Sequence, residues 1–278
     1  RTGARDAMLS SEAALENKGR IFGFHRSMDT FGAVLGPALA LLYLYFYPEN
    51  YITLFYIAFV PGVIAVITSF YLKDKPDNAV CANEKVKLFS FLSYWKTSSI
   101  KYRKLVSGLL VFALFNSSDV FLLLKAKEAG LNDTMVIGVY IFYNLIYALF
   151  AFPVGILADK IGLKKMYIIG IILFSIVYFG MSSASSLFVI GLLFLFYGIY
   201  AAATEGISKA WISQISNKNE VATAIGFYTG FQSICAMLAS SLAGFIWFQF
   251  GASITFIVTG IATILIVIYF SFALKNYP

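Results

Sequence analysis

The amino-acid sequence predicts an all-α protein, a polytopic membrane bundle of eight transmembrane helices. Three observations carry this reading. Hydrophobic residues make up 60% of the 278-residue chain and charged residues only 13%, too little polar surface to clothe a soluble core. The apolar residues arrive in blocks of membrane length: 51–72, 134–157, 166–204 and 221–274 contain no Asp, Glu, Lys or Arg. About 20 apolar residues cross a hydrocarbon layer as a helix, so each of the two longest blocks holds two crossings. Finally, these blocks lack the alternating polarity of membrane barrel strands, and backbone groups left unpaired in lipid cost several kcal/mol, so the spans are helical.

Taken in order, the first span, Phe24–Tyr47, follows a polar stretch with Arg1, Arg5, Lys18 and Arg20 and stops at the turn-forming Pro48-Glu49-Asn50. The second, Tyr51–Leu72, ends where Lys73 begins a different kind of segment. Lys73–Lys104 is polar and carries eight Lys or Arg. It reads as a linker between two helical bundles, with an amphipathic surface helix around Leu88–Trp95. The third span, Leu105–Leu124, runs through Asn116-Ser117-Ser118-Asp119. After the turn from Gly130 to Asp133 comes the fourth, Met135–Leu157, then the fifth, Met166–Ser183. Ser182 to Ser186 turns the chain into the sixth, Leu187–Lys209. The seventh, Val221–Phe248, reverses at Gln249-Phe250-Gly251 into the eighth, Ser253–Leu274. Such short turns make successive helices antiparallel neighbours.

The basic residues then fix an expected orientation. With the amino terminus inside, every Lys and Arg except Lys125 and Lys127 falls on the inner side, including Lys160, Lys164, Lys165, Lys209, Lys218 and Lys275. Both termini are therefore expected in the cytoplasm. Two spans precede the linker and six follow it. Sliding the chain against itself by 203 positions aligns 3–40 with 206–243 without a gap, with identities that include Gly3/Gly206, Ser10/Ser213, Gly23/Gly226, Phe24/Phe227 and Ala40/Ala243. The first span thus corresponds to the seventh. Six spans after the linker call for six before it, and together with an opening Arg1 this suggests that four spans are missing. Internal parallel repeats of this kind are a transporter architecture.

Two motifs add a family resemblance. Gly155-Ile-Leu-Ala-Asp159-Lys160-Ile-Gly162-Leu-Lys164-Lys165 resembles the G-x-x-x-D-(R/K)-x-G-(R/K)-(R/K) loop signature of the major facilitator superfamily, and it lies between the second and third helices of a six-helix half, where that family repeats it. Gly32-x-x-x-Gly36-Pro37 resembles the family's fifth-helix motif, common in proton-coupled exporters, although Ala40-Leu41 stands where the full form has paired glycines. The resemblance implies helices five to twelve of twelve. Residues 1–72 would be the remnant of an N-terminal bundle (the end of helix 4, then helices 5 and 6), 73–104 the linker, and 105–278 a complete C-terminal bundle. It further implies that Asp159 latches the cytoplasmic face in the outward-open state, against the start of the first span near Gly19 to Phe22 and Arg5. The third, fourth, sixth and seventh spans would line the cavity. The intact protein would act as a monomer in a plasma membrane, the inner membrane of a bacterium, without a cofactor. On spacing alone, Gly32 and Gly36 share a helix face that permits close packing.

Polar groups inside spans are costly and mark functional candidates. Asp119 stands out, with Asn116 three residues earlier on the same face of the third helix; the alternative is a rim charge near Lys125. In the first span Asp29 has Arg26 and His25 one turn before it, which suits either a structural Asp29–Arg26 pair or a proton relay. Glu205 and Lys209, four apart, read as an intrahelical pair. Asn144 and Tyr147 on the fourth span, Tyr200 on the sixth and Gln232 on the seventh complete the candidate substrate or proton pathway.

These features favour a secondary active transporter of a small solute, working by alternating access, proton-coupled and leaning to export of an organic molecule. The partners expected are that solute, protons and the lipid bilayer. A net charge of +7 could suggest nucleic acid, but the charges lie between apolar blocks rather than on a basic, aromatic stripe, so no nucleic acid is expected. A direct ATP engine is disfavoured because 155–165 lacks the G-x-x-x-x-G-K-(S/T) order. One His and the cysteines Cys81 and Cys235 provide no metal-ligand spacing and no catalytic cluster, so neither a metal nor an enzyme is expected. The competing reading is a truncated or sensor-like protein of the same fold that does not transport.

Overall fold

The computed structural model describes residues 2–71 and 90–273. Among these residues the regular structure is entirely helical: α1 Thr2–Glu12, α2 Lys18–Phe46, α3 Tyr51–Ser69, α4 Ser90–Thr97, α5 Ile100–Ala113, α6 Val120–Glu128, α7 Asp133–Ile161, α8 Leu163–Ser183, α9 Leu187–Ile215, α10 Val221–Phe250 and α11 Ala252–Ala273. Short 3-10 turns at Leu15–Asn17 and Lys218–Glu220 precede α2 and α10. Seven of these helical stretches are long and apolar enough to cross a membrane. The caps follow the sequence. Asn50, Ser99 and Asn132 accept from Thr53 N (3.3 Å), Tyr102 N (3.1 Å) and Met135 N (2.8 Å), each satisfying a free donor in a first turn. Gly162 at φ +100° links α7 to α8 through a backbone conformation that L side chains rarely adopt.

The expected third span is not one helix. α5 stops at Ala113, and Leu114–Asp119 breaks the backbone before α6 begins. Consecutive Asn, Ser, Ser and Asp offer the backbone competing hydrogen bonds and disfavour a helix interior. The Ser118 hydroxyl accepts from Val120 N (3.4 Å), and Ser240 Oγ on α10 accepts from Ser118 N (3.2 Å). The two pieces still follow one another along α10. Tyr102 donates to Ala224 O (2.8 Å) near the start of α10, and Phe121 lies 5.7 Å from Trp247 near its end.

The α5–α11 bundle packs around aromatic rings. Phe112, Tyr167, Phe174, Tyr178, Tyr200, Trp211, Phe256 and Phe270 are all buried, with Phe174–Tyr178 centroids 4.1 Å and Phe174–Tyr200 centroids 4.8 Å apart. Ring pairs of this kind contribute about 0.5–1.5 kcal/mol each beyond area burial, which matters where lipid removes most of the hydrophobic drive between helices. α4 falls within the segment expected to lie on a surface, yet it docks on α10, Trp95 stacking on Phe227 at 5.5 Å. The last residues of the expected linker open α5 at Ile100, while 73–89, together with Leu72 and Lys275, lie outside the described residues.

The repeat is visible in the element boundaries. A shift of 203 carries the 3-10 turn Leu15–Asn17 onto Lys218–Glu220 and the start of α2 at Lys18 onto the start of α10 at Val221. It also relates contacts. Gly3 of α1 lies against Ala222 and Gly226 of α10, while its equivalent, Gly206 of α9, lies against Phe22 and Arg26 of α2. α1 and α2 thus mount on the larger bundle with an approximate two-fold relation.

Candidate functional site

α2 crosses α7 antiparallel along a seam of small residues. A Cβ on Gly19 would come within 2.7 Å of Gly155 O, and one on Gly23 within 2.5 Å of Ala151 O, so neither position has room for a side chain. Gly155 is equally confined by the Gly19 carbonyl. Gly32 and Gly36, whose shared face permits close packing on spacing alone, have no described atom within 4 Å of a built Cβ. Spacing marks a face, but only the angle at which helices cross decides which glycines meet. Pro37 sits within the uninterrupted α2.

At the end of this seam Asp159 meets the start of α2. Its Oδ1 accepts from Gly19 N (2.7 Å) and its Oδ2 from Arg20 N (2.8 Å). α2 has no local side-chain cap at Asn17, so a carboxylate from α7 satisfies its first-turn donors and lies against the positive end of the helix dipole. Arg5, an expected partner for Asp159, lies against Asp6 (3.6 Å) instead. Lys160, Gly162, Lys164 and Lys165 line an adjoining cavity of about 600 Å³ beside Leu15 and Glu16. The reciprocal cap is Lys18, whose Nζ donates to Ser213 O (2.7 Å) in the last turn of α9 and to Ser10 Oγ (3.2 Å) on α1. Ser10 and Ser213 are equivalents in the repeat.

Lys209 does not pair with Glu205, which corrects the expected intrahelical bridge. Its Nζ lies 2.8 Å from Oδ2 of Asp6, which is 1% exposed, and Asp6 and Lys209 are themselves 203 positions apart. Glu205 instead pairs with Arg26 of α2, whose guanidinium also donates to the Tyr147 hydroxyl and to Asp29 Oδ2 (3.1 Å). Tertiary approach of α2 outcompetes the i,i+4 pairing, which contributes only ~0.2–0.5 kcal/mol on an exposed helix. The Arg26–Asp29 pair is present. Sequence reasoning underrated Glu205; its one available signal was a carboxylate in the apolar run of the sixth span.

The helix break separates two residues that a continuous helix would place on one face. Asp119 accepts from the Tyr143 hydroxyl on α7, while Lys125, its alternative neighbour, lies 3.6 Å from Glu128. Asn116 lines a separate small pocket with Phe112, Tyr200, Glu205, Tyr228 and Gln232. Asn144 is buried and donates to Tyr140 O (2.9 Å) within its own helix. The structure therefore gathers Arg26, Asp29, Tyr147 and Glu205 into one network, joins Asn116, Tyr200 and Gln232 to it through Glu205, and leaves Asp119 in a neighbouring cluster.

Membrane-length helices that meet through charged contacts define a transporter-like membrane fold. The family description "Major Facilitator Superfamily" matches residues 2–143 and again 105–278, and the chain belongs to that family of secondary transporters. It is 34% identical over 253 residues to an uncharacterized MFS-type transporter of Methanocaldococcus jannaschii, a match covering 89% of this chain and 62% of the relative. The crystal structure of the human organic anion transporter MFSD10 (TETRAN) has a similar fold, with a TM-score of 0.71 at 15% identity, over 96% of this chain and 67% of that one.

Proposed function

We propose that the whole protein is a proton-coupled secondary active transporter that exports a small organic molecule by alternating access. The observation that carries this reading is the charged contact between α2 and the larger bundle, where Arg26 bridges Asp29 on its own helix and Glu205 on α9 beside Tyr147 of α7. α2 packs on beyond it, with Ser27 donating to Ala148 O at 2.5 Å and Thr30 and Val34 buried. Family membership supports transport, and the GxxxGP sequence of α2 supports export. Asp29 and Glu205 supply carboxylates that face Arg26 at the bundle interface, and their neutralisation by a proton would loosen the contact. The solute pathway is assigned to Asn116, Tyr200 and Gln232, and Asp119 with Tyr143 offers a second protonation point. Both termini are assigned to the cytoplasm and the protein to a plasma membrane, the inner membrane in a bacterium.

The test is substrate uptake into everted vesicles containing the whole protein, energised and then treated with an uncoupler. Substrate movement that collapses on uncoupling supports the proposal. Movement undiminished by the uncoupler would remove proton coupling, and no movement of any solute in a broad screen would favour the non-transporting alternative.

A further inference from the structure

We infer that the pocket beside Glu205 takes the ammonium head of a protonated amine, so that the exported solute is a cation. This rests on the transport reading above and narrows it to a substrate class. The pocket is lined by Phe112, Asn116, Tyr167, Tyr200, Thr204, Glu205, Ser208, Tyr228 and Gln232, with no Lys, Arg or His among its lining residues. Its free volume of about 20 Å³ is the space of one water-sized group, which suits an –NH3+ head and excludes the bulk of an organic molecule.

Two side-chain hydroxyls and a carboxylate supply acceptors, beside the amides of Asn116 and Gln232 and the tyrosine hydroxyls, which both donate and accept. Thr204 Oγ1 donates its proton to Tyr200 O (2.9 Å) and Ser208 Oγ donates to Glu205 O (3.0 Å), so both hydroxyls turn lone pairs, not protons, to the pocket. Ionised Glu205 accepts only, and an ammonium brings three donors and no acceptor. The aromatic rings of Phe112, Tyr167, Tyr200 and Tyr228 line the same pocket, and such rings attract a cation through their quadrupole. The charge balance points the same way. Arg26 is the guanidinium facing Glu205 from α2, and it is shared with Asp29; Tyr147 from α7, Tyr167 from α8 and Tyr228 from α10 supply only hydroxyls. Shared in this way, Arg26 leaves Glu205 lone-pair capacity for a mobile positive ligand. An ammonium arriving at Glu205 competes with Arg26 and thereby weakens a bond from α2 to α9, which ties binding to separation of the bundles.

The experiment is calorimetric titration of the detergent-purified whole protein with phenethylamine hydrochloride and with sodium 3-phenylpropionate, which match in shape and oppose in charge. Binding of the amine with no detectable binding of the acid is expected. Glu205→Gln is expected to weaken amine binding at least tenfold, Glu205→Asp to keep most of it, and Ser208→Ala to weaken it several-fold. Equal or tighter binding of the acid, no binding of the amine, or unchanged amine binding in Glu205→Gln each overturns the inference. If Glu205→Gln proves aggregated on size exclusion, the amine–acid comparison on the unaltered protein and Ser208→Ala decide the matter. No gradient exists in detergent, so failure here is distinct from failure of proton coupling in the vesicle assay.

Discussion

Asp6 and Lys209 occupy equivalent positions of an internal repeat and meet as a buried ion pair. In a two-fold arrangement, equivalent residues near the axis face one another, and here evolution of the two copies has left them with opposite charges. Removing one partner of a buried pair strands the other at a cost of about 3–5 kcal/mol. Asp6→Ala is therefore expected to lower the thermal unfolding midpoint of the purified protein clearly, and the charge exchange Asp6→Lys with Lys209→Asp to recover part of the loss. Asp159 makes a comparable contribution through hydrogen bonds. Its two oxygens accept from two first-turn donors of α2, and Asn offers only one acceptor atom. Asp159→Asn is expected to weaken this contact by about 1–2 kcal/mol. The check is a faster reaction of a cysteine introduced at Ser10, which lies behind this contact, with an impermeant maleimide, in a Cys81→Ser, Cys235→Ser background.

Among the elements, the crossing of α2 on α7 and the break between α5 and α6 position the candidate site. The crossing depends on the absence of side chains at Gly19, Gly23 and Gly155. Gly155→Leu would drive a side chain into backbone, where no rotamer change relieves the overlap. It is expected to separate α2 from α7 and expose Ser10→Cys to the same reagent, with the α5–α11 bundle still folded by circular dichroism. The break has a different origin. Asn116-Ser117-Ser118-Asp119 exchanges helical hydrogen bonds for local ones and for Ser240 on α10, which turns Asn116 to one pocket and Asp119 to Tyr143. Tyr143→Phe would leave Asp119 with the Ser118 hydroxyl alone (3.3 Å), a loss of about 0.5–1.5 kcal/mol. It is expected to lower the unfolding midpoint more than the matched Tyr140→Phe.

At the scale of the molecule, charge distribution and repeat agree on one arrangement. The contacts of Lys18, Asp159 and the Asp6–Lys209 pair gather at one end of the helices, the end that the positive-inside rule assigns to the cytoplasm. Tags at both termini are expected to be reached by protease only after the membrane is permeabilised; digestion of either tag in sealed cells would reverse the assignment. α3 buries none of its residues in the described structure, and its uniformly apolar surface suits lipid or further membrane helices. The chain spans 62% of the length of its archaeal relative, so the activity proposed above belongs to the whole protein.

The sequence by itself determined the membrane class, the turns and the repeat, because each follows from local quantities: apolar run length, charge placement and turn chemistry. Even Asp159 could be singled out, since its neighbours along the chain form a motif. It did not determine partners. Glu205 lies one helical turn from Lys209 in the chain and pairs with Arg26 on another helix; Asp6 and Lys209 are distant in the chain and pair in space; the glycines that pack are Gly19, Gly23 and Gly155, not Gly32 and Gly36. An ion pair or a close approach depends on how helices cross, and crossing is set jointly by many side chains. Only the tertiary structure could decide which charges face each other across the bundles.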